Sequence, residues 1–131
     1  MKKSQSINVR QALDGLRFLA NRTPTTPPGE SERAFARLCD YRDGALFIAH
    51  YAGNSEWERH SRGDEIVFVL AGETTLFLLA DGQQSANRLR EGELLVVPQN
   101  SWHRFETPTG VKVMTVTPQP TDHSVERPAD A

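Results

Sequence analysis

The run Trp57-Glu58-Arg59-His60-Ser61-Arg62-Gly63-Asp64-Glu65-Ile66-Val67-Phe68-Val69-Leu70 decides how this chain is read. Along a β-strand, side chains two apart share a face, so Glu58 and His60 point together while Arg59 points the other way. Gly63-Asp64 makes a turn, and Glu65 opens a second strand that runs to Leu70. With Val67 and Val69 facing the interior, Glu65 faces inward too. An inward carboxylate must be paired or must bind a cation, because an isolated buried charge is very costly.

A second piece answers it: Gly92-Glu93-Leu94-Leu95-Val96-Val97-Pro98-Gln99-Asn100-Ser101-Trp102-His103-Arg104-Phe105. Here His103 shares a face with Phe105 and Thr107. Imidazoles and a carboxylate converging on one interior point suit a divalent ion such as Mn, Fe, Ni or Zn.

Outward from these segments the pattern stays strand-like. Runs at 34–41, 45–51, 66–70, 74–80, 94–97, 102–107 and 111–117 are separated by Gly or Pro at almost every junction. Asp43-Gly44 reads as a hairpin turn, with the glycine supplying positive φ. Many short strands with regular turn signals and no helix between them indicate an all-β sandwich or barrel. Before them, Val9, Leu13, Leu16 and Ala20 sit at helical spacing over 9–20, although Gly15 weakens that helix. Thr23-Pro24-Thr25-Thr26-Pro27-Pro28-Gly29 then forbids regular structure. The expected organisation is an N-terminal arm and Pro-rich loop (1–32), a β-barrel (33–118) and a flexible polar tail (119–131).

Composition narrows the function. A length of 131 residues suits one domain, and a net charge of −2 with a pI near 6.1 leaves no basic footprint for nucleic acid or an anionic membrane. The N-terminal segment is too short for a helix-turn-helix. One cysteine, Cys39, permits no internal disulfide and reads as a structural thiol. With no signal-peptide core and no membrane-length apolar run, the expected location is cytoplasmic.

The two segments together resemble the cupin family, whose motifs read G-x5-H-x-H-x(3,4)-E-x6-G and G-x5-P-x-G-x2-H-x3-N. This chain supplies His60, Glu65 and Gly72 at the first motif's spacing, then Gly92, Pro98 and His103 at the second's. The resemblance covers residues 53–107 and implies a double-stranded β-helix, or jelly-roll barrel, with a metal site and a homodimeric assembly. Where the family has its first histidine this chain has Glu58, and Asn100 replaces the glycine of the second motif. Asn also accepts left-handed backbone angles.

The implied metal ligands are Glu58, His60, Glu65 and His103. Glu58 carries three readings: a fourth ligand, an acid or base beside a triad of the other three, or the mark of a vacant site. His50 reads as a hydrogen-bonded barrel histidine, His123 as an inert tail residue, and Trp57 and Trp102 as rim packing. The functional expectation is a metal-binding protein acting on a small organic molecule inside the barrel, dioxygenase- or isomerase-like. The alternatives are a non-catalytic sensor of a small ligand or metal, and a metal-free structural barrel.

Overall fold

Backbone pairing, more than local propensity, shapes this chain, as its two ends show. The computed structural model describes residues 4–129. Helix α1 spans Val9–Asp14, capped where the Asn8 side chain accepts from the Gln11 amide at 2.9 Å. It ends at Gly15 rather than Ala20. Residues Leu19–Arg22 instead form strand β1, which pairs in parallel with β3 (Gly44–Asn54). A short helix is marginal in water, so a sheet edge that satisfies the same backbone groups wins. The Pro-rich loop continues into α2 (Pro28–Ser31), a 3₁₀ turn at Glu32–Ala34 and β2 (Phe35–Tyr41).

The remaining strands are β4 (Trp57–His60), β5 (Glu65–Ala80), β6 (Gln83–Arg90), β7 (Leu94–Val97), β8 (His103–Pro118) and β9 (Thr121–Ser124). Two pairs of expected strands are continuous. The runs at 66–70 and 74–80 are both in β5, and those at 102–107 (from His103 on) and 111–117 are both in β8, each strand 16 residues long. The interruptions expected at Gly72 and Gly110 are bends within the strands, at φ +75° and +109°, beside shifts of register. Bent in this way, β8 pairs with β3, β4 and β5, and β5 pairs with β6, β7 and β8. The sheet thereby closes around one core, with Tyr51, Val67, Val69, Leu76, Val97 and Val111 almost wholly buried.

Three expectations change. Strand β6 was not anticipated: its sequence is polar and only Leu89 is buried, yet it pairs with β5 from Glu73 to Ala80 across the Asp81-Gly82 turn. The β2–β3 turn takes its positive φ at Arg42, not Gly44; glycine is needed at 44 because a Cβ there would lie 1.9 Å from the Thr117 carbonyl oxygen. The tail is not loose throughout, since β9 pairs with β4 from Trp57 to His60. The sheet therefore runs from Leu19 to Ser124 and draws strands from both segments expected to lie outside the barrel.

Candidate metal centre

His60 ends β4, Glu65 begins β5 and His103 begins β8, so three strand termini converge on one interior point. All three residues are buried, at 2%, 4% and 1% exposure. Alternation sets their direction as expected: Glu65 is buried with Val67 and Val69, and His103 with Phe105 and Thr107. The loops that carry them are tied together. Gln99 donates its amide to Asp64 Oδ1 at 2.8 Å and its side-chain nitrogen to the Ser61 carbonyl at 2.8 Å, while the Asn100 amide donates to the His60 carbonyl at 3.0 Å. Asn100 holds φ +65°, the left-handed angle that made it an acceptable substitute for glycine.

One potential ligand atom from each residue lies within 4.8 Å of the others. Glu65 Oε1 faces His103 Nε2 at 3.1 Å, and Glu65 Oε2 faces His60 Nε2 at 3.3 Å. The outer ring nitrogens are engaged behind them. His103 Nδ1 lies 2.9 Å from the Ser101 carbonyl oxygen, which can only accept, so Nδ1 is the protonated nitrogen and neutral His103 presents a lone pair at Nε2. His60 Nδ1 lies 3.0 Å from Thr121 Oγ1 on β9. Thr117 on β8 donates its hydroxyl to Glu65 Oε2 at 2.6 Å.

Inside this ring His60 Nε2, Glu65 Oε1 and His103 Nε2 are buried without a well-formed hydrogen bond. Two acceptors cannot face each other at 3.1 Å in a dry interior unless a proton or a cation lies between them. The donor set therefore fits a divalent ion. Without one, the proton takes that place. Burial alone pushes the Glu65 carboxyl upward, but hydrogen bonds from His103 and His60, with their positive charge, outweigh it and hold it at about 2. Burial pushes the His103 imidazole down, and its bond to Glu65 reverses the balance, so its pKa rises.

Glu58 stands outside that three-residue group. It is half-buried in the wall of the adjoining cavity, opposite His103 in the β4–β8 register. Burial first, and the neighbouring Glu65 charge second, push its pKa upward.

The cavity measures about 440 Å³. Phe35, Phe47, Ile48, Tyr51, Phe105 and Val113 form its apolar wall; Glu58, Glu65 and Thr117 mark its polar inner side, and Arg22 enters from β1. His50 is not in that wall. Its ring packs on Phe18, centroids 4.7 Å apart. Trp57 and Trp102 pack beneath Arg104 and Arg59, at 5.6 and 4.8 Å, also away from the cavity. Cys39 is a half-buried free thiol on β2 and does not line it either. His123 is not inert, since its Nδ1 pairs with Glu56 Oε1 at 2.7 Å beside the cavity.

Sequence reasoning did not single out Thr117, Thr121, Tyr51 or Arg22. Thr117 carried a usable signal, because Val113, Thr115 and Thr117 alternate along one strand face. Thr121 and Arg22 carried none, lying in segments read as unstructured.

A family model for the cupin domain matches residues 46–117, and the chain belongs to that family. Two solved structures cover nearly all of it. One is a cupin-2 domain containing protein from Shewanella frigidimarina, 18% identical, covering 86% of this chain and 94% of its own, with a TM-score of 0.62. The other is protein NMB1881 from Neisseria meningitidis, 20% identical, covering 92% of this chain and all of its own, with a TM-score of 0.63. A third is hydroquinone 1,2-dioxygenase PnpCD, solved with Cd²⁺ and 4-hydroxybenzonitrile; it is 19% identical, covers 64% of this chain and 63% of its own, and has a TM-score of 0.56. At these identities the likeness is one of fold. No curated protein sequence matches the chain.

Proposed function

We propose that this cupin binds a divalent metal through His60, Glu65 and His103 and acts on a small organic molecule held in the barrel. The observation that carries this is the set of buried, unpartnered atoms at His60 Nε2, Glu65 Oε1 and His103 Nε2, beside a cavity large enough for a ring-sized ligand. Two imidazoles and one carboxylate suit Mn, Fe, Ni or Zn, and three protein donors leave coordination positions for other ligands. A bound ion would supply Lewis acidity or oxygen chemistry. The chain's own contribution is orientation: Ser101 and Thr121 hold the two imidazoles from behind, Thr117 holds the carboxylate, and the aromatic wall excludes water. Glu58, on the wall beside the ion, is a fourth ligand or a proton carrier for the substrate. Dioxygenase- or isomerase-like turnover is the reaction class proposed.

The homodimer is part of the proposal. Ile66, Leu94 and Val96 are exposed together on the outer face of the β5–β7 pair, and a second copy would cover them. Among the described residues no helix is long and apolar enough to cross a membrane.

The function is tested by screening small phenols, keto acids and hydroxy acids on metal-loaded protein, following oxygen uptake and product formation. Turnover abolished by chelation and restored by the ion supports an enzyme. A ligand that binds and is never converted would make this a sensor or carrier barrel instead.

A further inference from the structure

The cavity's charges are unevenly shared. Glu65 and Glu58 lie on its inner side, and Glu56 is paired with His123. Arg22 is the one permanent cation among the described residues that line it. Its guanidinium lies 4.5 Å from the centre of the Tyr51 ring and 4.9 Å from that of Phe35, two rings that themselves stack at 5.7 Å. No ion pair holds Arg22 among the described residues; the Tyr51 phenol engages part of its guanidinium by a hydrogen bond, and a planar fork of five N–H donors has others to offer a ligand in the cavity it lines.

The backbone beneath Arg22 is held closely. Arg22 pairs with Gly53 of β3, and a Cβ at Gly53 would lie 2.2 Å from the Arg22 carbonyl oxygen. Only glycine, here at φ +116°, lets β1 approach so near. An arginine stacked on aromatic rings and anchored by its backbone loses little freedom when it takes a ligand. The rest of the wall is apolar and flat, with Phe35, Phe47 and Phe105 exposing ring surface.

Arg22 is a cation at one side of the cavity and the aromatic rings form an apolar wall beside it. A monoanion with an apolar body suits both.

We infer that the cavity takes a small aryl or similarly flat monocarboxylate, its carboxylate on Arg22 and its body against Phe35, Phe47 and Phe105, with the far end toward His60, Glu65 and His103. This rests on the metal reading above for the orientation of that far end, and on Arg22 alone for the choice of anion. Arg22 is thus a specificity residue.

The test is calorimetric titration with benzoate and with benzamide, its neutral isostere, on metal-loaded protein and after chelation, with metal content measured in every sample. Wild type is expected to bind benzoate about tenfold more tightly than benzamide, as a charge-assisted contact in a half-buried site should give. Arg22→Gln is expected to bring the ratio near unity. Arg22→Met should do the same, and its unbranched apolar chain keeps the packing on Phe35 and Tyr51 if the glutamine variant fails to fold. Wild type that binds the two equally, or neither, overturns the proposal, and so does a preference that survives both substitutions. An Arg22-dependent preference in a wild type that stays empty of metal even after reconstitution would sustain the carboxylate subsite and contradict the metal reading. A loaded protein without that preference would do the reverse.

Discussion

Thr121 Oγ1 lies 3.0 Å from His60 Nδ1, joining the ninth strand to the fourth at the back of the candidate metal centre. Beside this bond Arg59 donates twice to Asp122 Oδ2, at 3.0 and 2.9 Å, and His123 pairs with Glu56. The C-terminal strand therefore braces one of the proposed ligands. Thr121→Val keeps the shape and removes the hydroxyl. It is expected to weaken metal affinity by about 10–100-fold, as loss of a ligand's outer hydrogen bond commonly does, while leaving the fold intact. Competition against a chelating dye measures it, and wild-type affinity in the variant would show that Thr121 does not support His60.

Thr117 makes the corresponding contact on the carboxylate. Its 2.6 Å bond is buried, so Thr117→Val leaves Glu65 Oε2 with His60 Nε2, at 3.3 Å, as its remaining partner. The expected cost in the metal-free protein is about 1–3 kcal/mol, the loss of a buried hydrogen bond to a charged group. Denaturant unfolding of the chelated protein reads it. A variant as stable as wild type would mean that Glu65 finds another donor.

Gly53→Ala should release the arm. The added Cβ meets the Arg22 carbonyl oxygen in a backbone conformation that alanine rarely adopts. A loss of about 1–3 kcal/mol is expected, along with faster amide exchange over Leu19–Arg22. Unchanged exchange in that strand would show that β1 does not depend on this close approach.

Alkaline stability should report Tyr51. Burial raises its phenol to about 12, Arg22 acting against that rise. The folded state thus prefers the neutral phenol. The associated stability is complete below the unfolded value of 10.0 and is lost as pH climbs through about 12. The two-unit gap corresponds to about 3 kcal/mol. In Tyr51→Phe the alkaline decline over this window should be shallower by that amount, followed by chemical denaturation at stepped pH. Parallel curves for the two proteins would contradict it.

What could be read in the sequence follows from which forces act locally. The burial of Glu65 with Val67 and Val69, and of His103 with Phe105 and Thr107, was legible because strand alternation needs no knowledge of partners. The central strands were legible for the same reason. Strand β6 was not, since Gln83–Arg90 buries only Leu89 and is a strand only because β5 offers it a ladder. Strands β1 and β9, four residues each, likewise exist through their partners. Arg22 and Thr121 became visible only with those pairings, so the sequence pointed to the candidate centre's inner atoms and missed the residues around them. Glu58 was legible as a residue facing the site. Its distance from the ligand group depends on how β4 meets β8, which no spacing encodes.

On the proposed reading His60, Glu65 and His103 together hold one divalent ion. Elemental analysis tests it most directly, on protein purified without added metal and again after reconstitution, for wild type, His60→Ala, Glu65→Gln and His103→Ala. Stoichiometric metal is expected in wild type and its loss from each variant, with the folded β signal in circular dichroism retained. Full metal retention in any one variant, or a wild type that stays empty after reconstitution, would contradict it.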